Sequence, residues 1–539
     1  MDPSTVVLQL AVVTTIAASL GIVWWLARPN GRWGRTLRER FVLGVPWGTL
    51  VSIALVLCVY LFVQDGITNW YRPLRLPFSS WSYLYPLGWA TAPFAHANAG
   101  HLIGNLTTTV VLAPLAEYIW GHYPRDRGEQ TFSSWRANPW IRAFVLFPLG
   151  VIVVGLFTSL FAWGPVIGFS GVVFAFAGFT LVRYPLITVV ALSVRSAARV
   201  IYNALSNPVV VESASTSFSY PSWYGIAVQG HALGLFLGLI AGALLLYRRG
   251  ERPDPLRLWI GAFLVGTSMS LWAIWWYRGP GTFVLYRGLG VMLVSVLALL
   301  VTVSLVSSDR SLWGDLTRRQ AAVLVLIAPL VTMGLVAIPL NLTTVEGAEL
   351  PDAAVSVGDY TVFYDEGVEN RMVSIVEAEV FGETTQVNTS GVIVISESRQ
   401  IWTTHVSKNR LEANGRATVD LGGVGWRDSV RVERAGWEPV GNESVYQVWL
   451  RHDGQWTHAF ASESRQASPV IDGREVHLAA EDGKFAIEVR ENETADRVFL
   501  PEVNETVSAG GIEFTREADE IVAEYGETRV VVAERETYV

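Results

Sequence analysis

Long apolar stretches follow one another through the first 340 residues of the chain. About 20 consecutive apolar residues cross the hydrocarbon core of a bilayer as a helix, and ten stretches approach or exceed that length. The predicted spans are 5–27, 42–64, 101–121, 141–163, 168–184, 185–205, 224–247, 256–277, 283–307 and 320–340. The pattern predicts a polytopic α-helical membrane protein over the first two thirds of the chain.

The pattern changes after residue 340 to short runs in which apolar and polar residues alternate. Examples are 360–364, 392–395, 445–450 and 530–532, and clusters of Gly, Asn and Asp separate them. This alternation predicts a soluble, mainly antiparallel β region of one or two sandwich-like domains. No metal-ligand cluster or nucleotide-binding loop is expected there, and four scattered histidines are expected to be ordinary strand or surface residues: His405, His452, His458 and His477.

Charge separates the same two regions. The chain has 539 residues, of which 16% are charged, against about 25% in ordinary soluble domains. Residues 1–340 hold 23 Arg and 11 Asp or Glu, for a net charge of +12. Residues 341–539 hold 17 Lys or Arg and 37 Asp or Glu, for a net charge of −20. A single soluble globule and a wholly disordered chain are both excluded.

The arginines of the short loops predict an orientation. Four loops rich in arginine fall on the same side of the membrane in the ten-span arrangement, as the positive-inside rule requires: 28–41, 122–140, 248–257 and 308–319. The N-terminus and the acidic C-terminal region are then expected outside the plasma membrane. His122, in the second of these loops, is expected to be solvated. Five glycosylation sequons follow the last span and suit an external glycoprotein domain: Asn341, Asn388, Asn442, Asn492 and Asn504.

The numbers of cysteines and lysines limit the possible types of site and indicate the kind of source organism. Cys58 is the only cysteine, so an intramolecular disulfide and a Cys-based zinc site are excluded. Lys408 and Lys484 are the only lysines among 40 basic residues. Few lysines together with an acidic polar region are typical of salt-loving archaea, because high salt screens the self-repulsion of such a domain. We therefore predict a halophilic archaeal source.

Ionisable residues within spans are costly and mark candidate functional sites. His96 and His101 frame the start of the third predicted span, and Asn105 lies one turn beyond His101 on the same helix face. His231 lies about two turns into the seventh span. Three glycines at four-residue spacing follow His231 and allow a second helix backbone to approach closely: Gly234, Gly238 and Gly242.

The helix predicted to pack on these glycines begins with a serine between glycines, in Gly168-Phe169-Ser170-Gly171. In that packing Ser170 and His231 meet at similar depth, as a nucleophile and its general base. His101, Asn105 and the Ser170 N–H can supply donors to an oxyanion. No acidic residue is placed to complete a triad, so a Ser-His dyad is expected. Each feature alone also has a structural explanation, in helix packing or a buried hydrogen bond, and it is their combination that predicts acyl transfer.

The combined motifs resemble those of rhomboid intramembrane serine proteases. The resemblance rests on His96-x4-His101-x3-Asn105, on Gly168 to Gly171, and on His231 with its glycine series. Glu117 and Gly121 also fit the family's pattern. It implies a six-helix core over about 42–247, with Ser170 as nucleophile, His231 as base, and His101, Asn105 and the Ser170 amide as oxyanion hole. It implies a structural or assisting role for His96.

One residue departs from the family's pattern. Many members carry a tyrosine four residues after the serine, stacked on the histidine, and this chain has Phe174 there. A phenyl ring can still stack, but it lacks the hydroxyl. The orientation of His231 therefore depends on the ring alone.

The resemblance also divides the chain. An extra helix and a cytoplasmic loop (1–41) are expected before the core, three extra helices (248–340) after it, and then the external β-rich region (341–539). The implied function is a serine endopeptidase that cleaves transmembrane-helix proteins in the lipid bilayer, with no cofactor, metal or nucleic acid.

The main alternative is a non-catalytic scaffold that binds client helices through the same fold. A transporter would show paired inverted repeats with broken helices, and none is evident. A metal hydrolase built on His96, His101 and His231 would lack a nearby carboxylate ligand and the His-Glu-x-x-His pattern.

Overall fold

The computed structural model describes residues 3–27, 32–123, 132–210, 219–278, 282–307, 311–314, 316–342, 344–345, 350–369, 379–380, 383–384, 388–481, 483–492 and 494–539. Two compact units divide the chain. The first contains the apolar helices up to residue 343, and the second contains most of the strands from Thr344 onward. Each unit is described separately.

The first unit opens with elements that precede the site. They are α1 (Pro3–Ala27), α2 (Arg32–Arg40), a 3₁₀ turn (Val42–Gly44), α3 (Trp47–Cys58) with its π-helical continuation (Val59–Val63), a 3₁₀ turn (Leu76–Phe78) and α4 (Pro86–Thr91). The loop between α3 and α4 is largely buried around Leu74, Leu76 and Phe78. These buried side chains pack the loop into the helical unit before α4 begins.

The helices that carry the site follow. They are α5 (Ala99–Trp120), α6 (Pro139–Ile141), which continues through a π-helical stretch (Arg142–Leu146) into α7 (Phe147–Leu160), then α8 (Ser170–Arg183), α9 (Pro185–Ser206) and α10 (Val228–Arg249). Asn98 caps α5, since its Oδ1 accepts from the His101 N–H at 2.9 Å. This is the expected role of Asn at a helix start. It fixes the orientation of the helix turn that carries His101.

Further helices alternate with short hairpins before residue 343. The elements are α11 (Pro255–Ser268), β1 (Trp275–Tyr277), β2 (Phe283–Leu285), α12 (Arg287–Val306), β3 (Ser311–Trp313), β4 (Leu316–Thr317) and α13 (Arg318–Asn341). A capping box between Thr317 and Gln320 starts α13. The β1–β2 hairpin packs an aromatic cluster on the loop before α10, where the Trp275 indole N–H donates to the Ile226 carbonyl at 3.2 Å.

Within the described ranges, seven helices are long and apolar enough to cross a membrane. They are Ser4–Leu26, Ala99–Trp120, Pro139–Leu160, Pro185–Ser206, Val228–Arg249, Arg287–Val306 and Arg318–Asn341. The remaining three of the ten predicted stretches form shorter helices. The stretch 256–277 is helical only to Ser268 and ends in β1, because a run rich in Trp and Tyr suits a strand as well as a helix. The predicted fold class, a helical membrane region followed by a mainly-β region, is confirmed.

Helices α8 and α10 pack backbone against backbone. A Cβ on Gly234 would overlap the Gly171 carbonyl, and one on Gly238 would overlap the Ala175 carbonyl. A Cβ on Gly242 would lie 3.0 Å from the Phe179 carbonyl oxygen. The glycine series thus lies against α8, as the small-residue spacing predicts.

Over its described residues, the second unit is built from antiparallel strands and one short helix. Its elements are β5 (Val355–Val357), β6 (Tyr360–Glu369), β7 (Glu379–Val380), β8 (Glu383–Thr384), β9 (Asn388–Ser396), β10 (Ile401–Ser407), α14 (Lys408–Asn414), β11 (Arg416–Gly423), β12 (Trp426–Pro439), β13 (Val445–His452), β14 (Gln455–Ala461), β15 (Arg465–Ile471), β16 (Arg474–Glu481), β17 (Lys484–Glu491), β18 (Thr494–Phe499), β19 (Thr506–Ala509), β20 (Ile512–Glu517), β21 (Glu520–Tyr525) and β22 (Thr528–Arg535).

The larger sheets of this unit have clear strand orders. One sheet has the order β10-β9-β6-β5, and another β15-β16-β17-β18. The largest has the order β14-β13-β12-β22-β21-β20-β19, with β11 also paired to β12. Inside it, the buried Arg434 and Glu536 form a bidentate ion pair, with 2.6 Å between Nη2 and Oε1.

The sequon asparagines fall into two groups. Asn341 is 4% exposed, and its amide nitrogen donates to the carbonyls of Leu160 and Ala162 at 3.3 and 2.8 Å. The attachment atom of the Asn341 sequon is therefore buried and hydrogen-bonded in the fold. The other four are exposed: Asn388, Asn442, Asn492 and Asn504.

Candidate active site

Ser170 is the first residue of α8, and the chain reaches it through an unusual backbone conformation. Gly168 has φ +127°, which residues with a side chain rarely adopt. Its N–H donates to the Ala92 carbonyl at 2.8 Å, which ties this turn to the end of α4. Phe169 is the N-cap and provides no side-chain cap. The first N–H groups of α8 therefore have no intrahelical partner and remain available as donors.

His231 lies in the first turn of α10, with its ring toward Ser170. The distance between His231 Nε2 and Ser170 Oγ is 2.9 Å, within hydrogen-bonding range. The Phe174 ring stacks on the imidazole at 4.2 Å between centroids and an interplanar angle of 12°. Among the described residues, none offers a hydrogen-bond partner to the buried His231 Nδ1. The arrangement is a serine and a histidine without a carboxylate.

Two side chains from α5 lie beside the turn that precedes Ser170. A Cβ placed on Gly168 would lie 2.8 Å from His101 Nε2 and 3.5 Å from Asn105 Nδ2. Glycine is therefore required at 168 for space as well as for conformation. His101 and Asn105 thus lie against the turn that leads directly into Ser170 and the first N–H groups of α8, and all of these groups are of the kind that can donate to a developing oxyanion.

His96 contacts both Asn105 and His101. Its Nε2 lies 3.0 Å from Asn105 Nδ2, and its ring contacts the His101 ring at 5.1 Å between centroids. Because the amide nitrogen can only donate, His96 Nε2 accepts. The second Asn105 N–H has no partner within the part of the chain that the structure describes. His96 is fully buried and sets the direction of the Asn105 amide.

Gln64 was not identified from the sequence, although it organises the loop that carries His96. Its Oε1 accepts from the His96 N–H at 2.7 Å, and its Nε2 donates to the His96 carbonyl at 2.8 Å. Nε2 also donates to the Leu74 carbonyl at 2.7 Å. Gln64 is fully buried. Gln64 stands at the end of an otherwise apolar run, and this position in the sequence could have marked it as a candidate.

A second buried cluster joins α5 to the start of α3. The Glu117 carboxylate accepts from the N–H groups of Gly48 and Thr49, both at 2.8 Å, and from the Thr49 hydroxyl at 2.7 Å. His122 Nε2 lies 2.5 Å from Glu117 Oε1, and His122 Nδ1 accepts from the Val42 N–H at 2.9 Å. The prediction that His122 is solvated is wrong, since its side chain is fully buried by this pairing.

The β-rich unit carries one group with metal-ligand geometry among the described residues. Ligand atoms of Asp428, His452 and Asp453 lie within 4.8 Å of one another, where the sequence predicted no such cluster. The side chain of Asp453 is 85% exposed, and His452 Nε2 is already paired with Asp428 at 3.0 Å. The geometry is that of a surface ion pair.

Comparison with known proteins identifies one segment within the helical region. Residues 84–248 match the family model described as the Rhomboid domain. None of the curated proteins and none of the solved structures matches the chain. The matched segment contains His96, His101, Asn105, Ser170 and His231. The predicted resemblance is thus confirmed for this segment: the chain contains a Rhomboid domain in a multi-pass membrane protein, and that family consists mostly of serine proteases.

Proposed function

We propose that the chain is an intramembrane serine endopeptidase with Ser170 as nucleophile and His231 as general base. One observation carries the proposal: the 2.9 Å contact between Ser170 Oγ and His231 Nε2, next to the donors of α5. A serine hydroxyl is a weak nucleophile until a base removes its proton. Imidazole is suited to that role near neutral pH.

The first half of the reaction forms an acyl-enzyme. As Ser170 Oγ attacks the scissile carbonyl carbon, its proton passes to His231 Nε2, and the carbonyl oxygen becomes an oxyanion. The Ser170 N–H, the free Asn105 N–H and a His101 ring N–H donate to that oxyanion. When the oxyanion collapses, the C–N bond breaks, and His231 returns the proton to the departing amine.

The second half restores the serine. Water attacks the ester carbonyl and gives its proton to His231, and the same donors stabilise the second oxyanion. The C–O bond to Ser170 then breaks, and Oγ recovers its proton from His231. The stacked Phe174 ring keeps the imidazole in one plane through both proton transfers.

The proposed partners and setting follow from the position of the site in the helical unit. The substrates are proteins with a transmembrane helix, and the bilayer is the medium of the reaction. We infer a plasma-membrane protein whose N-terminus and acidic β-rich region lie outside, in a high-salt archaeal environment. The four exposed sequon asparagines are then available for glycosylation. Protease digestion of sealed vesicles tests this orientation, since external β-rich residues would be removed without lysis.

Cleavage of a single-span protein substrate in liposomes at high salt tests the activity. The variants are Ser170→Ala and His231→Ala, with Ser295→Ala as the matched serine control. Ser295 lies half-buried on α12, and among the described residues its hydroxyl donates to the Val291 carbonyl of its own helix, at 2.8 Å. We expect the wild type and Ser295→Ala to cut, and the other two variants to lose cutting.

Two other outcomes have clear meanings. Equal cutting by all four proteins assigns the activity to a contaminant or another site. Binding of the substrate helix without cutting by the folded wild type favours the non-catalytic scaffold.

A further inference from the structure

The carbonyl groups at the end of α7 are held by side chains from three other elements. The Leu160 carbonyl accepts from the Tyr83 hydroxyl at 2.6 Å and from Asn341 Nδ2 at 3.3 Å. The Ala162 carbonyl accepts from Asn341 Nδ2 at 2.8 Å, and the Phe161 carbonyl accepts from Gln229 Nε2 at 2.8 Å. We call Tyr83, Gln229 and Asn341 the α7 clip.

The clip meets a general need of helix ends. The last carbonyls of a helix have no intrahelical donor, and in an apolar setting they require partners from elsewhere. Asn341 is 4% exposed, and its amide group donates to two of these carbonyls, those of Leu160 and Ala162. The Gln229 side chain bonds twice, because its Oε1 also accepts from the Trp163 N–H at 3.1 Å. The end of α7 is therefore fixed from several directions.

Gln229 of the clip bonds the chain segment that leads to Ser170 and lies on the helix that carries His231. Gln229 is two residues before His231 in the first turn of α10. The segment it holds, 161–163, leads within seven residues to Ser170. The Gln229 side chain thus links the first turn of α10, which carries His231, to the segment 161–163, which precedes Ser170.

Asn341 brings in a helix outside the matched Rhomboid segment. It is the last residue of α13, and its carbonyl accepts from the Tyr83 N–H at 2.9 Å and the Ser82 hydroxyl at 3.1 Å. The Trp163 indole N–H donates to the Met333 carbonyl of α13 at 2.8 Å. Helix α13 is thereby bonded to the loop before α4 and to the chain that leads from α7 to Ser170.

We propose that Gln229 and Asn341 are positioning residues that set the Ser170–His231 geometry through the end of α7. Helix α13, which carries Asn341, then contributes to the cleavage rate although it lies outside the matched Rhomboid segment. The proposal rests on the proposed function. Because a misplacement of about 1 Å can cost about 100-fold in rate, loosening the clip should slow the chemical step more than it weakens substrate binding.

Turnover per active site tests the proposal. The variants are Asn341→Ala, Gln229→Ala and Gln229→Glu, and active sites are counted by titration so that misfolded protein does not contribute. Gln229→Glu keeps the acceptor for the Trp163 N–H and loses the donor to Phe161. The matched control is Thr332→Ala, also on α13, whose exposed hydroxyl bonds only its own helix at Ala328.

The expected result is a fall in kcat of about 10- to 100-fold for both alanine variants, with KM within about threefold of wild type. Gln229→Glu should lose at least as much as Gln229→Ala, because a carboxylate oxygen then faces the Phe161 carbonyl oxygen, and Thr332→Ala should match wild type. A kcat per active site equal to wild type in both alanine variants would overturn the proposal, because a merely structural role lowers the yield of folded protein and leaves kcat unchanged.

Amide hydrogen exchange over residues 160–170 gives a readout that needs no activity. Both alanine variants should exchange at least about tenfold faster there than wild type and Thr332→Ala. If the wild-type chain turns over no substrate, the proposed function fails. The amide exchange rates over residues 160–170 then test whether Gln229 and Asn341 position this segment. Unchanged exchange in both variants overturns the proposal.

Discussion

Replacing Gly238 by alanine should separate the two helices that carry Ser170 and His231. The new Cβ would overlap the Ala175 carbonyl of α8, and a backbone carbonyl cannot rotate away as a side chain can. The same change at Gly234 meets the Gly171 carbonyl, directly after Ser170. At Gly242 the nearest atom lies 3.0 Å away, so a small shift accommodates the methyl group.

The magnitude follows from two opposing effects. Glycine to alanine in an exposed helix interior stabilises by about 1 kcal/mol. Overpacking between fixed backbones costs about 1–3 kcal/mol, and the upper end applies at Gly234 and Gly238. We expect net destabilisation of about 1–2 kcal/mol at these two positions. A shift of α10 by about 1 Å would also lower the cleavage rate about 100-fold.

The assay compares four variants by denaturant titration in mixed micelles and by cleavage rate. Gly150→Ala is the matched control, because Gly150 lies exposed on α7 with nothing within 4 Å of its would-be Cβ. The expected order of loss places Gly234→Ala and Gly238→Ala first, Gly242→Ala next and Gly150→Ala last. If Gly238→Ala were as stable and as active as Gly150→Ala, the close packing of α8 on α10 would be refuted.

Three further predictions concern single side chains. Phe174→Ala should lower the cleavage rate about tenfold through loss of the stacked ring, whereas Phe174→Tyr should retain it; equal rates for both would show that stacking does not orient His231. Glu117→Gln should lower the free energy of unfolding by about 1–3 kcal/mol, because an amide group then faces N–H donors; an unchanged denaturation midpoint would contradict this. Burial alone would raise the pKa of Glu536, but the hydrogen bonds and charge of Arg434 outweigh it and hold that pKa below its usual value. This stabilisation is present above the unfolded pKa and is lost as pH falls through the lower folded pKa. The protection factors of the amides in β12 and β22 should therefore fall below about pH 4 in wild type and depend less on pH in Glu536→Gln.

Much of the helical region could be predicted because helix geometry is fixed by sequence spacing. His101 and Asn105 share one face at four-residue spacing, and the glycines after His231 define where a second helix can approach. The change to alternating runs after residue 340 likewise predicts strands. Where an apolar run contains several Trp and Tyr residues, as in 272–277, its periodicity does not distinguish helix from strand.

Residues whose roles depend on distant partners could not be predicted. His122 was expected in solvent because it follows a span, yet its place is set by Glu117 and the Val42 N–H. Asn341 matches a glycosylation pattern, and only the fold shows that it bonds the end of α7. Gln229 belongs to no motif, and the polar end of an apolar run marks Gln64 without showing its role, because the partners of both are backbone groups that sequence patterns do not mark.

The central claim is that His231 activates Ser170. The most direct measurement is the reaction of the purified full chain with a fluorophosphonate, followed by mass spectrometry of the modified peptide. The account predicts a single adduct on Ser170, absent in Ser170→Ala and formed at least about 100-fold more slowly in His231→Ala. Equal labelling of wild type and His231→Ala, or an adduct at another residue, would contradict it.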